Sequence, residues 1–376
     1  MKFIHLSDLH LGKRVGEFSM IEDQKYILKQ IIEHICDEKP DGVLIAGDVY
    51  DRSVPSTEAV GLLGDFLAKL AMEKIPTFLI SGNHDSAERL CFAHEILEHS
   101  KIYISPTYRG AVKPITLEKE GESVDIYLLP FVKPIQVSKY HQDITISSYT
   151  DAVSHAIKEM KVNPERTNIL VTHQFVTGGA VSDSEEHSVG GSDNVDRHVF
   201  AEFDYVALGH LHAPQKVGEA HTRYCGTPLK YSFSEVHHKK SVTVVEIGES
   251  IEIRTLPLIP LRDMIDVKGT YLEVTAIEFY EKLDQNAYFR VTLLDEDDVL
   301  DGVARLRKIY PNLMQLRYDN KRTRHKSAEN GVELQSQTNP IELFESLYQD
   351  QNGSGLTEEQ REYLQKTITS IWEERT

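Results

Sequence analysis

Five short segments within the first 212 residues carry side chains of the kinds that bind metal ions. Each segment contains histidine or aspartate, one also contains asparagine, and each lies at the end of a short apolar run. In chain order the segments are Asp8-Leu-His10, Gly47-Asp48-Val-Tyr-Asp51, Gly82-Asn83-His84-Asp85, Thr172-His173 and Gly209-His210-Leu-His212. A single motif of this sort is a common accident, but five in the same setting predict one metal centre assembled from all of them.

The ligand types indicate a pair of divalent ions. Carboxylate and imidazole groups suit Mn²⁺, Fe or Zn²⁺, and ligand softness does not separate these three metals. A carboxylate such as Asp48 can bridge two ions, and Asn83 adds a neutral oxygen that leaves the ions able to bind phosphate. Two ions about 3.5–4 Å apart share a water, lower its pKa and hold phosphate oxygens for in-line attack. The absence of thiolate ligands argues against a purely structural zinc site.

The apolar runs before these segments predict the elements that position them. Each run is short and β-rich, as expected of a strand buried on both faces. The runs are residues 3–6, 42–46, 77–80, 169–171 and 205–208. In a layered α/β fold, ligands bind outside the carboxyl ends of the strands, so separate loops deliver their side chains to one place. We also predict that Asp8 and His10 lie on an extended segment with both side chains on one side, and that His210 and His212 repeat this arrangement.

Length and composition are those of an ordinary globular protein. The chain has 376 residues, enough for two or three domains, with 40% hydrophobic and 27% charged residues. No apolar run approaches the roughly 18 residues of a membrane span, and the chain turns polar at Ser7, too early for a signal peptide. We therefore expect a cytoplasmic location and no membrane contact. The three cysteines are widely spaced and are expected to be reduced thiols.

Strand and helix signals alternate up to residue 258 and predict an α/β layered domain over residues 1–258. Apolar spacing predicts helices over residues 20–38 and 57–72, and a hairpin precedes the domain boundary at residues 256–260. Residues 261–325 then read as strand, helix, strand, helix and strand, which predicts a small α/β domain. Its clearest helix covers residues 299–310. The polar segment 326–338 is predicted to be a linker.

The remaining residues, 339–376, predict two helices with visible caps. Asn339 and Thr357 stand at the N-cap positions, the first followed by a proline and the second within a capping box. Apolar residues follow at helical spacing, and these are predicted to contact another molecule: Phe344, Leu347, Leu364, Ile368 and Trp372. Docking onto the same chain is the alternative, but we favour a partner helix or coiled coil.

The metal motifs resemble those of the calcineurin-like metallophosphoesterase superfamily, whose pattern is D-x-H, G-D-x-x-D, G-N-H-[DE], a later H and G-H-x-H. The resemblance implies a layered β-sandwich flanked by helices. It also implies that one ion is held by Asp8, His10, Asp48 and His212, and the other by Asp48, Asn83, His173 and His210. His84 would not be a ligand but a proton donor or transition-state stabiliser near the leaving oxygen, with Asp51 orienting it.

Longer segments resemble the family of nuclease subunits of the bacterial SbcCD complex, over essentially the whole chain. They include Thr172-His-Gln-Phe-Val-Thr-Gly-Gly, Ser182-Asp-Ser-Glu, Phe203-Asp-Tyr-Val-Ala-Leu-Gly-His-Leu-His and Gly226-Thr-Pro-Leu-Lys-Tyr-Ser-Phe-Ser-Glu235. This resemblance implies Mn²⁺-dependent 3′ to 5′ exonuclease activity on double-stranded DNA ends, and endonuclease activity on single strands and hairpins. It further implies a homodimer built through the nuclease domain, a capping domain at 261–325, and a helix-loop-helix at 339–376 that binds the coiled coil of the partner ATPase SbcC.

The net charge of −18 argues against a protein that holds nucleic acid by surface charge alone. A locally basic stretch nevertheless lies near residues 305–326. Within it, these residues are predicted to contact DNA phosphates: Arg317, Lys321, Arg322 and Arg324. A solvated face is the alternative for this stretch. The segment 177–197, rich in Gly and Ser, either lines the DNA path or forms a plain surface loop.

Two other functions remain open. A phosphodiesterase for small nucleotides would need no partner and would leave the tail helices packed on the same chain. A non-catalytic scaffold of the ATPase would use its metals for structure, but the presence of His84, which would ligate nothing, argues against it. Asp51 stands where archaeal and eukaryotic relatives have a second histidine near the site, and this departure weakens the transfer of a second catalytic histidine to this chain.

Overall fold

The structure, a computed structural model, describes residues 1–180, 182, 185, 193–248, 250–321 and 323, and in the tail 344, 345, 348, 355–361, 363–365 and 367. The chain divides into a large unit, Met1–Glu186 with Asn194–Asn320, and a small unit, His187–Asp193 with Lys321–Thr376. Among the described residues, no helix has both the length and the apolar character needed to cross a membrane.

The strands of the described chain are β1 (Lys2–Leu6), β2 (Arg14–Val15), β3 (Phe18–Ser19), β4 (Gly42–Ala46), β5 (Thr77–Ile80), β6 (Ile102–Ile104), β7 (Ile115–Lys119), β8 (Glu122–Leu129), β9 (Thr167–His173), β10 (Phe175–Val176), β11 (Asn194–Val195), β12 (Tyr205–Gly209), β13 (Gln215–Val217), β14 (Glu219–Tyr224), β15 (Ser241–Ile247), β16 (Ile251–Pro257), β17 (Met264–Gly269), β18 (Tyr288–Leu293) and β19 (Leu313–Tyr318). Its α-helices are α1 (Ile21–Glu38), α2 (Thr57–Met72), α3 (Ala87–Leu90), α4 (His94–Glu98), α5 (Pro134–Ser138), α6 (Tyr149–Met160), α7 (Tyr271–Val274), α8 (Ile277–Tyr280) and α9 (Gly302–Leu306). Short 3-10 helices cover Arg197–Phe200 and Phe233–Glu235.

Two six-stranded sheets form the centre of the large unit. Their strand orders are β16-β15-β1-β4-β5-β6 and β13-β14-β12-β9-β8-β7. In the first sheet β1, β4, β5 and β6 run parallel, and in the second β8, β9, β12 and β14 do so. Their inner faces meet in one apolar cluster that includes Leu44 and Phe78 of the first sheet and Val171 and Ala207 of the second. The predicted layered β-sandwich is confirmed.

Helices cover the outer faces of the sandwich. α1 and α2 bury Ile31 and Phe66 in the cluster outside the first sheet, and α6 buries Ile157 outside the second. The helix predicted over residues 57–72 has those bounds in the structure. It begins at Thr57 because the Ser56 side chain caps it by accepting a hydrogen bond from the N–H of Ala59. The helix predicted from residue 20 begins one residue later, at Ile21.

Each of the five candidate segments follows a buried parallel strand, as predicted. β4, β5 and β12 are buried at every residue. β1 ends at Leu6, shortly before Asp8, and β9 ends at His173 itself. The loops that follow these strands therefore converge at one end of the sandwich.

A third sheet, β17-β18-β19, is parallel throughout and is connected by α7, α8 and α9. Its own core includes Phe289, Val291 and Tyr310. The three strands and their helical connections are as predicted, but two short helices, α7 and α8, stand where one was predicted, and the length predicted for the helix in the second connection is wrong. Only Gly302–Leu306 is α-helical. It does not start at residue 299 because Asp301 takes a left-handed backbone with φ 53° immediately before Gly302.

In the small unit, the described tail residues 358–361 and 363–365 are helical. The capping box predicted at Thr357 is confirmed. The Thr357 N–H donates to Oε1 of Gln360 at 2.9 Å, and the Gln360 N–H donates to Oγ1 of Thr357 at 3.3 Å. The cap predicted at Asn339 lies outside the described residues.

The two sheets approach each other closely at Gly209, the last residue of β12. A Cβ atom there would lie 1.8 Å from the carbonyl oxygen of Ala46 and 2.7 Å from Nδ1 of His173. We expect Gly209→Ala to lower the free energy of unfolding by about 1–3 kcal/mol or more, as core overpacking does. The control is Gly61→Ala in α2, where a Cβ meets nothing within 4 Å and alanine should add up to about 1 kcal/mol. Urea unfolding checks both, and an unchanged midpoint for Gly209→Ala would contradict the expectation.

Candidate metal centre

Four of the predicted ligands have left-handed backbones, so the expectation of an extended segment at Asp8 and His10 is wrong. Their φ angles are 52° for Asp8, 43° for His10, 47° for Asp48 and 115° for His210. Such conformations cost about 1–3 kcal/mol each and persist only where the surroundings fix them. Here the loops after β1 and β4 bond to each other: Asp8 N–H to Gly47 O at 3.0 Å and His10 N–H to Asp48 O at 2.9 Å.

Asp8, His10 and His212 form the first cluster of donor atoms. All three side chains are buried, and one ligand atom from each lies within 4.8 Å of the others. Nε2 of His10 is 3.2 Å from Nε2 of His212. A carboxylate and two imidazoles at this separation are a donor set that divalent ions bind.

Asp48, Asn83, His173 and His210 form the second cluster. Nε2 of His173 lies 3.3 Å from Oδ2 of Asp48 and 2.9 Å from Oδ1 of Asn83, which is also 3.1 Å from Nδ1 of His210. The same Oδ2 of Asp48 lies 3.7 Å from Nε2 of His10. Asp48 is therefore placed between the two clusters, where a bridging carboxylate would stand. The structure brings the predicted ligands together at one site.

The charges of the cluster suit metal binding. Burial lowers the pKa of His10 well below its ordinary value, so its ring is neutral. Burial raises the pKa of Asp48, but His173 and His84 outweigh it, and the pKa lies well below the usual range. Burial raises the pKa of Asp8 to about 6, still ionised at neutral pH. Burial lowers the pKa of His173, but Asp48 outweighs it and raises the value to about 9, so a cation bound there would displace a proton.

His84 is half-buried at the edge of both clusters. Its main-chain N–H donates to Oδ1 of Asp48 at 2.9 Å, and its ring atom Nε2 lies 3.8 Å from Oδ2 of Asp48. Its Nδ1 lies 3.1 Å from the main-chain oxygen of Asp51. The contact with Asp51 thus runs through the main chain, whereas the Asp51 carboxylate pairs with Nζ of Lys13 at 2.7 Å. With Nδ1 donating to that carbonyl, Nε2 is the ring atom left facing the clusters.

Sequence reasoning missed the role of Asp85. Its carboxylate accepts hydrogen bonds from the N–H groups of Val49, Tyr50 and Gly82 at 3.0, 2.8 and 2.9 Å. It thereby ties the loop after β4 to the loop after β5. The only signal in the sequence is its place at the end of the Gly82-Asn83-His84-Asp85 segment.

Sequence reasoning also missed the role of Glu235, although this residue ends the segment 226–235 that resembles the nuclease family. It is fully buried, with Oε1 3.2 Å from Nδ1 of His212 and Oε2 2.5 Å from Nζ of Lys240. Burial raises the pKa of Glu235, but the His212 hydrogen bond and the Lys240 charge outweigh it and hold the pKa well below its usual range. A carboxylate on Nδ1 fixes the tautomer that turns Nε2 of His212 towards the cluster.

We expect Glu235→Gln to weaken both the fold and the metal site. Lys240 would keep its hydrogen bonds to His212 O and Thr227 Oγ1 but lose its counter-charge in a buried site, which costs up to about 3–5 kcal/mol. Replacing the carboxylate beside Nδ1 of His212 by a neutral amide should weaken Mn²⁺ binding about 10- to 100-fold. Urea unfolding and isothermal titration with Mn²⁺ measure the two effects. Glu33→Gln, which breaks the exposed pair with Lys29, is the control and should change stability by no more than about 0.5 kcal/mol. Unchanged Mn²⁺ affinity in Glu235→Gln would contradict the positioning role.

The segment 177–197 touches the site through one described residue, Glu185. Its Oε1 accepts the N–H of His212 and its Oε2 accepts the N–H of Ser182, both at 2.5 Å. Glu185 is therefore a further support of the His212 main chain that the sequence did not reveal.

The structure describes some of the residues predicted to contact DNA or a partner. Arg317 and Lys321 are exposed, whereas Arg322 and Arg324 lie outside the described residues. Among the partner-binding candidates, Phe344 is exposed and Leu364 is half-buried. Leu347, Ile368 and Trp372 lie outside the described residues.

Comparison with known families matches two parts of the chain. The calcineurin-like phosphoesterase family matches residues 1–214, which hold every predicted ligand. A family described as the type 5 capsule protein repressor C-terminal domain matches residues 260–352.

Two curated relatives are similar over their whole length. One, from Staphylococcus epidermidis and named as a subunit of the nuclease SbcCD, is 35% identical and covers 99% of this chain and 99% of its own. The other, of the same name from Staphylococcus saprophyticus, is 33% identical and covers 100% and 99%. A solved dimetal phosphatase from Danio rerio overlaps 69% of this chain and 96% of its own with a TM-score of 0.41 at 10% identity, and adds nothing to the assignment. On the family match and these two relatives, the chain belongs to the calcineurin-like phosphoesterase family and is a metal-dependent phosphodiesterase.

Proposed function

We propose that the chain is the nuclease subunit of an SbcCD-type complex, acting on DNA ends in repair and recombination. In this proposal it is a Mn²⁺-dependent 3′ to 5′ exonuclease on duplex ends and an endonuclease on single strands and hairpins. The observation that carries it is Asp48, buried between two clusters of donors. The chain around it is similar from end to end to two proteins named as subunits of such a nuclease.

We infer that the two clusters hold two ions that share Asp48. The first would be held by Asp8, His10, Asp48 and His212, and the second by Asp48, Asn83, His173 and His210. Bound there, the ions would supply an activated water and clamp the phosphate oxygens. Mn²⁺ is the ion proposed, and the ionised carboxylate of Asp48 beside the neutral ring of His10 supports a divalent cation.

His84 is proposed to act on the leaving oxygen. Its Nδ1 faces the carbonyl of Asp51 at 3.1 Å, which holds the ring in one orientation. Its Nε2 would then donate a proton to the departing 3′ or 5′ oxygen, or hydrogen-bond to the charge that develops there. Asp51 serves this role through its main chain.

The test is cleavage of an end-labelled duplex and of a hairpin by the full chain with Mn²⁺, with and without an SbcC-type ATPase. Cutting of both substrates, abolished by a chelator and restored by Mn²⁺, is the expected result. Activity on a small chromogenic phosphodiester but on neither DNA would favour the small-nucleotide phosphodiesterase. No hydrolysis of any substrate, with the ATPase still bound, would favour the scaffold.

We propose four functional parts and a homodimer built through the first of them. These are the nuclease domain (1–258), the capping domain (261–325), a linker (326–338) and the ATPase-binding helix-loop-helix (339–376). The exposed Phe344 and the half-buried Leu364 are described residues of that last part.

In the full chain, Phe344→Asp with Leu364→Asp should abolish co-purification with the ATPase, because charges cannot enter an apolar helix groove. Hairpin cutting by the nuclease without its ATPase should stay unchanged. Glu358→Gln, at an exposed position of the same tail, is the control and should still bind. Retained ATPase binding by the double variant would contradict the assignment.

A further inference from the structure

The third sheet packs against the sandwich through one face of β18. Tyr288 and Arg290 are two residues apart on this strand, so their side chains point to the same face. Phe289, between them, points into the sheet's own core. Tyr288 and Met264 join the apolar cluster of the sandwich that also contains Ile27 and Tyr231. A shared core therefore seats the small sheet on the domain that carries the metal clusters.

Tyr288 is bound to the start of α1. Its hydroxyl donates to Oδ2 of the fully buried Asp23 at 2.8 Å, and Nη1 of Arg262 donates to the same oxygen at 2.8 Å. The Arg262 guanidinium also lies over the Tyr288 ring, 5.5 Å from its centroid. A buried carboxylate is costly without such partners, so the position of Asp23 depends on where the small sheet lies.

Gln24, the next residue along α1, holds the His10 segment on both sides. Its Nε2 donates to the main-chain oxygen of His10 at 2.7 Å, and its Oε1 accepts the N–H of Gly12 at 3.0 Å. Gln24 is only 1% exposed. Because His10 has a left-handed backbone, these two bonds stabilise a conformation that would otherwise relax.

Arg290 reaches the other side of the same cluster. Its guanidinium lies 5.1 Å from the centroid of the buried Phe233 ring, in the short helix Phe233–Glu235. Two residues further on, Glu235 contacts Nδ1 of His212 at 3.2 Å. This second path therefore starts on the same face of β18 and ends at a predicted ligand of the same ion as His10.

We propose that the small sheet sets the affinity of one of the two ions, with Gln24 and Glu235 as positioning residues that pass the seating of β18 to His10 and His212. This rests on the proposed function, which assigns those two histidines to one ion. His173, assigned to the other ion, is held instead by the carbonyl of Ala46 in β4, with Nδ1 at 2.9 Å. A DNA strand or protein that shifts the small sheet would change the occupancy of the His10 and His212 ion and leave the other bound.

The experiment is Mn²⁺ titration of the full chain by calorimetry, for wild type, Tyr288→Phe and Arg290→Met. Tyr288→Phe keeps the ring but removes the donor to Asp23, and Arg290→Met removes the cation over Phe233. Each should weaken one Mn²⁺ site about tenfold, the low end of the range for ligand supports, and change the other less than twofold. Arg290→Lys keeps a cation over the ring and should restore much of the affinity.

The control is Lys268→Met, which breaks an exposed ion pair with Asp319 inside the small domain and should leave both sites unchanged. A second series identifies the weakened site. In an Asn83→Ala background, which impairs the other ion, Tyr288→Phe should still weaken the remaining site. In a His212→Gln background it should have no effect.

Unchanged titrations in both β18 variants would overturn the inference. Equal weakening of both sites, together with a lower unfolding midpoint, would also overturn it and reduce these contacts to a structural role. If wild type binds fewer than two ions, the proposed metal centre fails first and the inference fails with it. Because the readout is binding, neither result depends on DNA cleavage.

Discussion

On the proposed function, His84→Gln is expected to leave two Mn²⁺ ions bound per chain and to remove most of the cleavage of duplex ends and hairpins. Glutamine can still reach the carbonyl of Asp51, but it cannot deliver a proton to the leaving oxygen. General acid catalysis of this kind contributes about 10²- to 10⁴-fold, so kcat should fall by that factor. The measurement is kcat at saturating Mn²⁺, with the metal content of each protein determined by atomic emission.

His99→Gln is the matched control for this experiment. His99 also has its Nδ1 near a main-chain carbonyl, that of Glu95 at 3.1 Å, but it is exposed on the chain after α4. Its replacement should leave kcat unchanged. If His84→Gln instead loses a metal ion, then His84 is itself a ligand. Its ring lies close enough to His10 and Asp48 to bind an ion together with them.

Asp48→Asn is expected to empty both metal positions at once. Asp48 is the carboxylate placed between the clusters, 3.7 Å from Nε2 of His10 and 3.3 Å from Nε2 of His173. An amide has one oxygen and no charge, so it cannot bridge two cations as the carboxylate would, and hydrolysis should become undetectable. In wild type, Mn²⁺ at 100 times its dissociation constant should stabilise the fold by about 2.7 kcal/mol per site.

Thermal unfolding with and without Mn²⁺ measures this difference. Asp48→Asn should show almost no metal-dependent rise in its unfolding midpoint. Asp41→Asn is the control, because the Asp41 carboxylate accepts the N–H of Lys2 at the opposite end of β1. That variant should keep the full response. A normal metal-dependent rise in Asp48→Asn would show that the bridging role is wrong.

The sandwich and the meeting of the ligands could be predicted because short apolar runs define buried strands. Residues 42–46 and 77–80 have no polar face, and the chain can place such runs only inside a layered sheet. Once the strands are parallel, the residues after Ala46 and Ile80 must lie at the same edge. The buried runs and the parallel direction of the strands are therefore enough to predict that Asp48 and Asn83 lie near each other.

The supporting residues could not be predicted because their contacts are remote in sequence. Glu235 meets His212 across 23 residues, and Gln24 meets Tyr231 across 207. The backbone of Asp8 and His10 was mispredicted for the same reason, since the opposite loop determines it. The local sequence around Asp8 does not predict the hydrogen bond from its N–H to the carbonyl oxygen of Gly47.

The paired loops after β1 and β4 position three of the proposed ligands relative to one another. Main-chain bonds hold Asp8, His10 and Asp48 in place, and these bonds belong to the polypeptide and need no cation. In small zinc-binding modules the chain stays unfolded until metal arrives. Here hydrogen bonds between two loops of the chain set Asp8, His10 and Asp48 relative to one another, so the fold itself contributes to the geometry of the proposed ligands.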